Sequence, residues 1–239
     1  MAHNGKRYED ALKQLDRERE YAPAEAFALL KELGQAKFNE SVELHVRTGL
    51  NVRHADEQLR GTIALPNGLG KDVKIAVFAQ GDKAREAEEA GADVVGAEDL
   101  AQRIQDGFDD FDVAIATPDL MPVVGRLGRI LGPAGKMPNP KVGTVTMDIA
   151  KAVDESKSGK VEYRTDRNAI VHLVIGKRDF EARSLLENYA AVIEELIRAK
   201  PSAAKGRYLH SVVISTTMGP GVKVDPSRTR DIVEEPVPA

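Results

Sequence analysis

Chemistry in this 239-residue chain would have to come from a short inventory of reactive side chains. The histidines are His3, His45, His54, His172 and His210, and there is no cysteine. No HExxH pattern or paired metal-ligand spacing joins the histidines, so no metal site is expected. Without thiols, neither disulfides nor thiolate nucleophiles are available. Two glycine-rich loops, GLGK (Gly68 to Lys71) and GRILGPAGK (Gly128 to Lys136), could cradle a phosphate. A Walker loop needs a glycine five residues before the glycine of its Gly-Lys pair, and a hydroxyl residue after the lysine. Those positions hold Ile130 and Met137 in one loop and Leu65 and Asp72 in the other, so both fail. No GxGxxG follows the apolar run Val73 to Ala79, and GxSxG is absent. Carboxylates are plentiful, but their commonest fate is a solvated face. The chain is expected to be no enzyme and to hold no cofactor.

A different chemistry is available in SVVISTTMGPG, Ser211 to Gly221. Period two places Ser211, Ser215 and Thr217 on one face of a strand, beside Met218. Small hydroxyls, and backbone freed at Gly219 and Gly221, let a sugar-phosphate chain approach closely. They suit recognition of RNA through shape, 2′-hydroxyls and backbone. The plainer alternative is a strand closed by a Gly-Pro turn.

The elements that must position these residues follow from periodicity. Tyr8, Ala11, Leu12 and Leu15 repeat at helical spacing. A second helix starts at Pro23, carries Phe27, Leu30 and Leu33 on one stripe, and has Gly34 at its C-terminal cap. From Lys37 to Arg47 the period changes to two: Val42, Leu44 and Val46 alternate with polar residues, as in a half-buried strand. Val73 to Ala79 and Phe111 to Pro118 read as strands buried on both faces. Between them lie helical segments at 82–90 and 98–105 and the short apolar Val94-Val95. This alternation implies a parallel, doubly wound, Rossmann-like sheet.

Gly125 to Gly143 reads as irregular, and Lys160 to Ile175 as two short strands around Asp166-Arg167-Asn168. A long amphipathic helix follows, with Leu186, Tyr189, Ile193, Leu196 and Ile197 on its stripe and a stop at Lys200-Pro201. The last strand runs from Tyr208 to Thr217. The acidic, proline-bearing tail from Asp225 reads as disordered. Neither outer segment makes a domain alone. The expected fold class is therefore α/β, with a split α+β domain (1–67 and 160–239) interrupted by an inserted Rossmann-like domain (68–159). The two crossings would lie side by side as a hinge.

The net charge of −4 taken alone argues against a polyanionic partner. The charges are segregated, however. Glu86 to Asp112 holds ten acidic residues against Arg103 alone. Leu120 to Met147 has no acid and carries Arg126, Arg129, Lys136 and Lys141; Leu196 to Val224 is also free of acid. Local charge decides binding once fields are screened beyond about 8 Å at physiological salt. The acidic helices leave a protein-interaction scaffold as a further alternative.

KFNESVEL, GTIALPNGLGK, EEAGAD, ATPDLM, LGRILGPAGKMPNPKVGTV and STTMGPG occur in this order. In these strings the chain, from about Lys6 to Val224, resembles the bacterial ribosomal protein L-one family, large-subunit proteins of the mobile stalk beside the tRNA exit site. The resemblance implies an RNA-binding outer domain with an inserted Rossmann-like domain. It implies binding to the stalk helices of large-subunit ribosomal RNA, help in releasing deacylated exit-site tRNA, and repression of the protein's own operon mRNA. RNA contacts are implied for Lys37, Phe38, Glu40 and Ser41 on the first strand. On the last strand and turn they are implied for Ser211, Thr216, Thr217, Met218, Gly219, Pro220 and Gly221. The hairpin residues Arg164, Asp166, Arg167 and His172 are implied as further contributors. The protein would be cytoplasmic and ribosome-bound, away from membranes, and monomeric when free. Two features depart from the family: a lower basic content and the acidic tail.

Overall fold

The computed structural model describes residues 5–34, 36–140, 142–202 and 204–228. In chain order its elements are α1 (Lys6–Lys13), α2 (Pro23–Leu33), β1 (Ser41–Thr48), β2 (Arg60–Ala64), β3 (Ile75–Phe78), α3 (Asp82–Glu89), β4 (Val94–Gly96), α4 (Glu98–Gln105) and β5 (Val113–Ala116). They continue with α5 (Met121–Arg126), α6 (Gly128–Leu131), α7 (Ile149–Lys157), β6 (Lys160–Arg164), β7 (Ile170–Lys177), α8 (Ala182–Arg198), β8 (Leu209–Thr216) and β9 (Val222–Val224). The chain divides into two compact units, residues 1–70 with 161–239, and residues 71–160.

In the first unit, alternation along β1 decides the architecture. Val42, Leu44 and Val46 are fully buried, while Ser41, Glu43, His45 and Arg47 point the other way and stay accessible. The antiparallel sheet β7-β1-β8-β9 turns its apolar side to α2 and α8. There Phe27 and Tyr189 meet edge to face at 5.6 Å, an arrangement favoured by the ring quadrupoles. A small sheet pairs β2 with β6.

The second unit is built on the parallel order β4-β3-β5. All four residues of β3 are buried because both sides are covered. Ala76 and Phe78 pack with Leu100, Ile104 and Leu127 on one side; Ile75 and Val77 pack with Ala87, Ile149 and Val153 on the other. The fold class is thus α/β, with a doubly wound parallel sheet and separate antiparallel sheets.

Several local expectations are corrected. Residues 121–126 and 128–131 are helical, because Pro122 stands in the first turn of α5 and Val124, Leu127 and Leu131 find burial. The strands around Asp166 form no hairpin ladder: β6 pairs with β2 and β7 with β1, joined only by a Thr165–Val171 bridge. Ile197 is 42% exposed and lies off the buried stripe of α8, which uses Leu185 and Val192 instead. The first strand begins at Ser41, after bends at Lys37 and Phe38. Helix α7, capped by the Asp148 side chain, and strand β9 were not anticipated from periodicity. Most of the acidic tail, residues 229–239, lies outside the described residues.

Two interactions in the first unit generate tests. Asn188 is fully buried in α8; its Nδ2 donates to the Ile175 carbonyl at 2.7 Å and the Gly68 carbonyl at 3.1 Å, and its Oδ1 accepts from Asn67 N–H at 3.0 Å. Asn188→Leu strands three backbone groups and should lower stability by about 2–4 kcal/mol, read from the urea midpoint of this unit. His45 and His172 stand directly opposite on β1 and β7, with Nδ1 atoms 2.8 Å apart. Burial, together with the His172 charge and against Glu43, holds the His45 pKa below its ordinary 6.5. The unfolded chain therefore takes up this proton first as pH falls. Stability present above 6.5 should be lost between that value and the lower folded pKa, and His45→Gln should flatten the decline, measured by urea denaturation between about pH 7.5 and about pH 5.5.

Candidate nucleic-acid interface

The outer side of the four-stranded sheet carries the polar half of each alternating strand. Strand β1 contributes Ser41, Glu43, His45 and Arg47, and β8 contributes Ser211, Val213 and Ser215, leading to Thr217. His172 and Lys177 come from β7, and Lys223 from β9. The register sets Glu43 opposite Ser215 and Arg47 opposite Ser211. His45 Nε2 lies 3.2 Å from Ser215 Oγ and 3.7 Å from a Glu43 oxygen. The face is thus a floor of hydroxyls and imidazoles with three cations, Arg47, Lys177 and Lys223, against one carboxylate, Glu43.

At one end of this floor the turn 217–221 is held by β1. Ser41 N–H donates to Thr217 Oγ1 at 3.0 Å, Thr217 N–H donates to the Ser41 carbonyl at 3.1 Å, and Lys177 Nζ donates to Ser41 Oγ at 2.9 Å. Glu40 has 0% exposure; its Oε1 accepts Met218 N–H at 3.0 Å, and its Oε2 lies 3.8 Å from Arg178 Nη1. Arg178 also donates to the Gly34 carbonyl. Buried charges persist only when paired and hydrogen-bonded, so Glu40 and Arg178 act as a clamp on the turn. Two glycines make room. A Cβ at Gly34 would come within 2.7 Å of the Arg178 side chain, and one at Gly219 within 2.3 Å of Thr216 Oγ1. Gly34 caps α2 with extended backbone, so close approach and not left-handed geometry requires it.

The implied contact residues therefore separate. Lys37, Phe38, Thr217, Met218 and Gly221 are exposed, and Ser41, Ser211 and Gly219 are half-buried around the same surface. Phe38 and Met218 are large apolar side chains left 52% and 58% exposed. Glu40, Thr216 (3% exposed) and Pro220 are buried and support the turn from beneath, out of reach of a ligand on the face.

Asp166 and His172 join the other end. The Asp166 carboxylate accepts the N–H groups of Asn168 and Ile170 at 2.8 Å and lies 3.5 Å from His172 Nε2. Desolvation works to raise its pKa, but these backbone hydrogen bonds and His172 together hold it below the usual carboxylate value. Arg164 and Arg167 line a separate cleft beside Asp166. His45, Lys177 and Arg178 were missed as site residues. His45 and Arg47 share the polar alternation of β1, a signal already in the sequence, whereas Lys177 and Arg178 acquire their place only through sheet pairing.

Among the described residues, no group of histidines and carboxylates could hold a metal ion, and no helix is long and apolar enough to cross a membrane. A family model described as the Ribosomal protein L1p/L10e family matches residues 29–220. The chain is 62% identical over 228 residues to the large ribosomal subunit protein uL1 of Rubrobacter xylanophilus, covering 95% of this chain and 99% of that one. It is 55% identical over 234 residues to the large ribosomal subunit protein uL1 of Mycobacteroides abscessus, covering 98% of this chain and 100% of that one. A match across nearly the whole length, including both strands of the interface and the turn between β8 and β9, shows that the chain belongs to the Ribosomal protein L1p/L10e family.

Proposed function

We propose that this protein is a structural component of the large ribosomal subunit that binds ribosomal RNA of the mobile stalk, beside the tRNA exit site, through the outer face of the β7-β1-β8-β9 sheet. The observation that carries the reading is that face itself: hydroxyls, imidazoles and a glycine turn left accessible, with Phe38 and Met218 exposed at its edge. Small polar groups and close backbone approach suit the sugar-phosphate surface of folded RNA, and exposed apolar side chains suit stacking on unpaired bases. Family membership makes the protein a ribosomal protein and not an enzyme. On this reading residues 1–67 and 160–239 form the RNA-binding domain, and 68–159 the inserted domain. Motion of the stalk would assist release of deacylated tRNA, and the same face would bind the protein's own operon mRNA, repressing its translation in the cytoplasm.

Charge distribution supports the assignment to the outer unit. Residues 71–160 hold 16 acidic and 12 basic residues, so the whole net charge of −4 resides there and the other unit is neutral. The low pI therefore says little about the RNA-facing surface, where cations outnumber carboxylates.

Met218→Ala removes an exposed side chain without touching the core and should weaken binding to large-subunit ribosomal RNA by about 1 kcal/mol. Thr217→Val also strands Ser41 N–H and should cost about 1–3 kcal/mol. Filter binding with circular dichroism as a fold control measures both; unchanged affinity in both variants would remove the face from consideration. If one face serves both RNAs, a transcript of the protein's own operon leader should displace ribosomal RNA, and Met218→Ala should weaken the two complexes in parallel.

A further inference from the structure

The middle of the polar sheet face is occupied by a pair of imidazoles. His45 on β1 and His172 on β7 stand directly opposite, their Nδ1 atoms 2.8 Å apart and their rings crossing edge to face. At that distance one nitrogen donates and the other accepts, so a single proton lies between them. The far nitrogens have partners too. His45 Nε2 lies 3.2 Å from Ser215 Oγ and 3.7 Å from a Glu43 oxygen, and His172 Nε2 lies 3.5 Å from Asp166. Two neutral imidazoles carry two ring protons, whereas these contacts have places for three. The third is the added proton of an imidazolium shared by the pair. A fourth would set two N–H groups against each other and break the Nδ1 contact.

Charges from every neighbouring element bear on the added proton. Glu43 on β1 and Asp166 in the loop before β7 favour it. Arg47 on β1, Lys177 on β7, Lys223 on β9, and Arg164 and Arg167 beside Asp166 oppose it. Strand β8 brings only Ser211, Val213 and Ser215 to this side. Burial and the His172 charge outweigh Glu43 and hold the His45 pKa below its ordinary 6.5, so His45 is neutral near neutral pH in the free protein. Phosphates laid across the face reverse the balance. They attract the imidazolium directly and neutralise the cations that oppose it.

We infer that the His45–His172 pair couples RNA binding to the uptake of a proton, so that the face holds its RNA more tightly as pH falls. The inference rests on the reading that this face binds ribosomal RNA, and adds a control on that binding. Coupling is reciprocal: RNA that favours the proton is favoured by it to the same extent. Bound phosphates raise the proton affinity of the pair. The gain is therefore absent above the pKa of the complex, grows as pH falls through it, and is complete below the lower pKa of the free protein. Uptake of one proton sets a ceiling of about tenfold in affinity per pH unit.

The test is filter binding of transcribed large-subunit ribosomal RNA from about pH 8 to about pH 5.5 at constant ionic strength, with circular dichroism at each pH as a fold control. Wild type should gain about tenfold in affinity across this range. His45→Gln and His172→Gln keep a hydrogen-bonding side chain that cannot titrate, and each should lose most of that gain. Placing the two substitutions on different strands keeps the test decisive if one variant folds poorly. His210→Gln removes an exposed histidine outside the pair and should keep the wild-type profile. Calorimetry at about pH 6 in two buffers of different ionisation enthalpy should show net proton uptake by wild type and almost none by His45→Gln. A wild-type affinity that does not change with pH, or variants whose profiles run parallel to it, overturns the coupling and leaves RNA binding by the face intact. Absence of RNA binding at every pH instead overturns the underlying reading, and the coupling with it.

Discussion

Strand β1 lies between β7 and β8, antiparallel to both, and nearly every feature of the interface takes its position from that double register. One side of the strand must be apolar because α2 and α8 cover it. The other is free to be polar because its residues remain accessible to solvent. A slip of one residue would exchange the two sides, burying Glu43, His45 and Arg47 and exposing Leu44. The register is therefore defended by the whole core of this unit, and the functional surface inherits that rigidity without residues of its own to enforce it.

The turn after β8 uses a different device. Backbone hydrogen bonds from Ser41 align its start, but its tip is oriented by a carboxylate with no solvent exposure. Removing Arg178 would leave Glu40 as an uncompensated buried charge, a loss of about 3–5 kcal/mol, whereas Arg178 is itself part-exposed and can be solvated without Glu40. Glu40 thus acts on the turn through geometry, by holding Met218 N–H from beneath. A residue carried over by motif can be essential to a site and still sit beneath it.

Much of the architecture was legible in the amino-acid pattern. Continuous apolar runs at 73–79 and 111–118 announced a parallel sheet covered on both sides, because only doubly buried strands tolerate such runs. Alternation at 42–47 announced a half-exposed strand for the converse reason. Legibility failed where local pattern and global partner diverge. The turn at Asp166 looks like a hairpin, yet its two strands join different sheets, since each finds a better-matched neighbour far along the chain. Gly125 and Gly128 read as loop-forming, yet helices form around them because Val124, Leu127 and Leu131 gain burial that outweighs glycine's weak helix propensity. Ile197 matches the helical stripe but is left 42% exposed near the end of α8.

By itself, the sequence determined most of the element types, the absence of recognisable catalytic and metal motifs, and the hydroxyl row on the last strand, because these depend on composition and short-range period; the family resemblance lay in long strings such as LGRILGPAGKMPNP. Tertiary structure alone decided which of the motif residues face solvent. It put Glu40 and Thr216 below the turn, His45 opposite His172, and Arg178 against Glu40. Each of these depends on pairing between segments more than a hundred residues apart, and periodicity carries no information about which strand a given strand will choose as its neighbour.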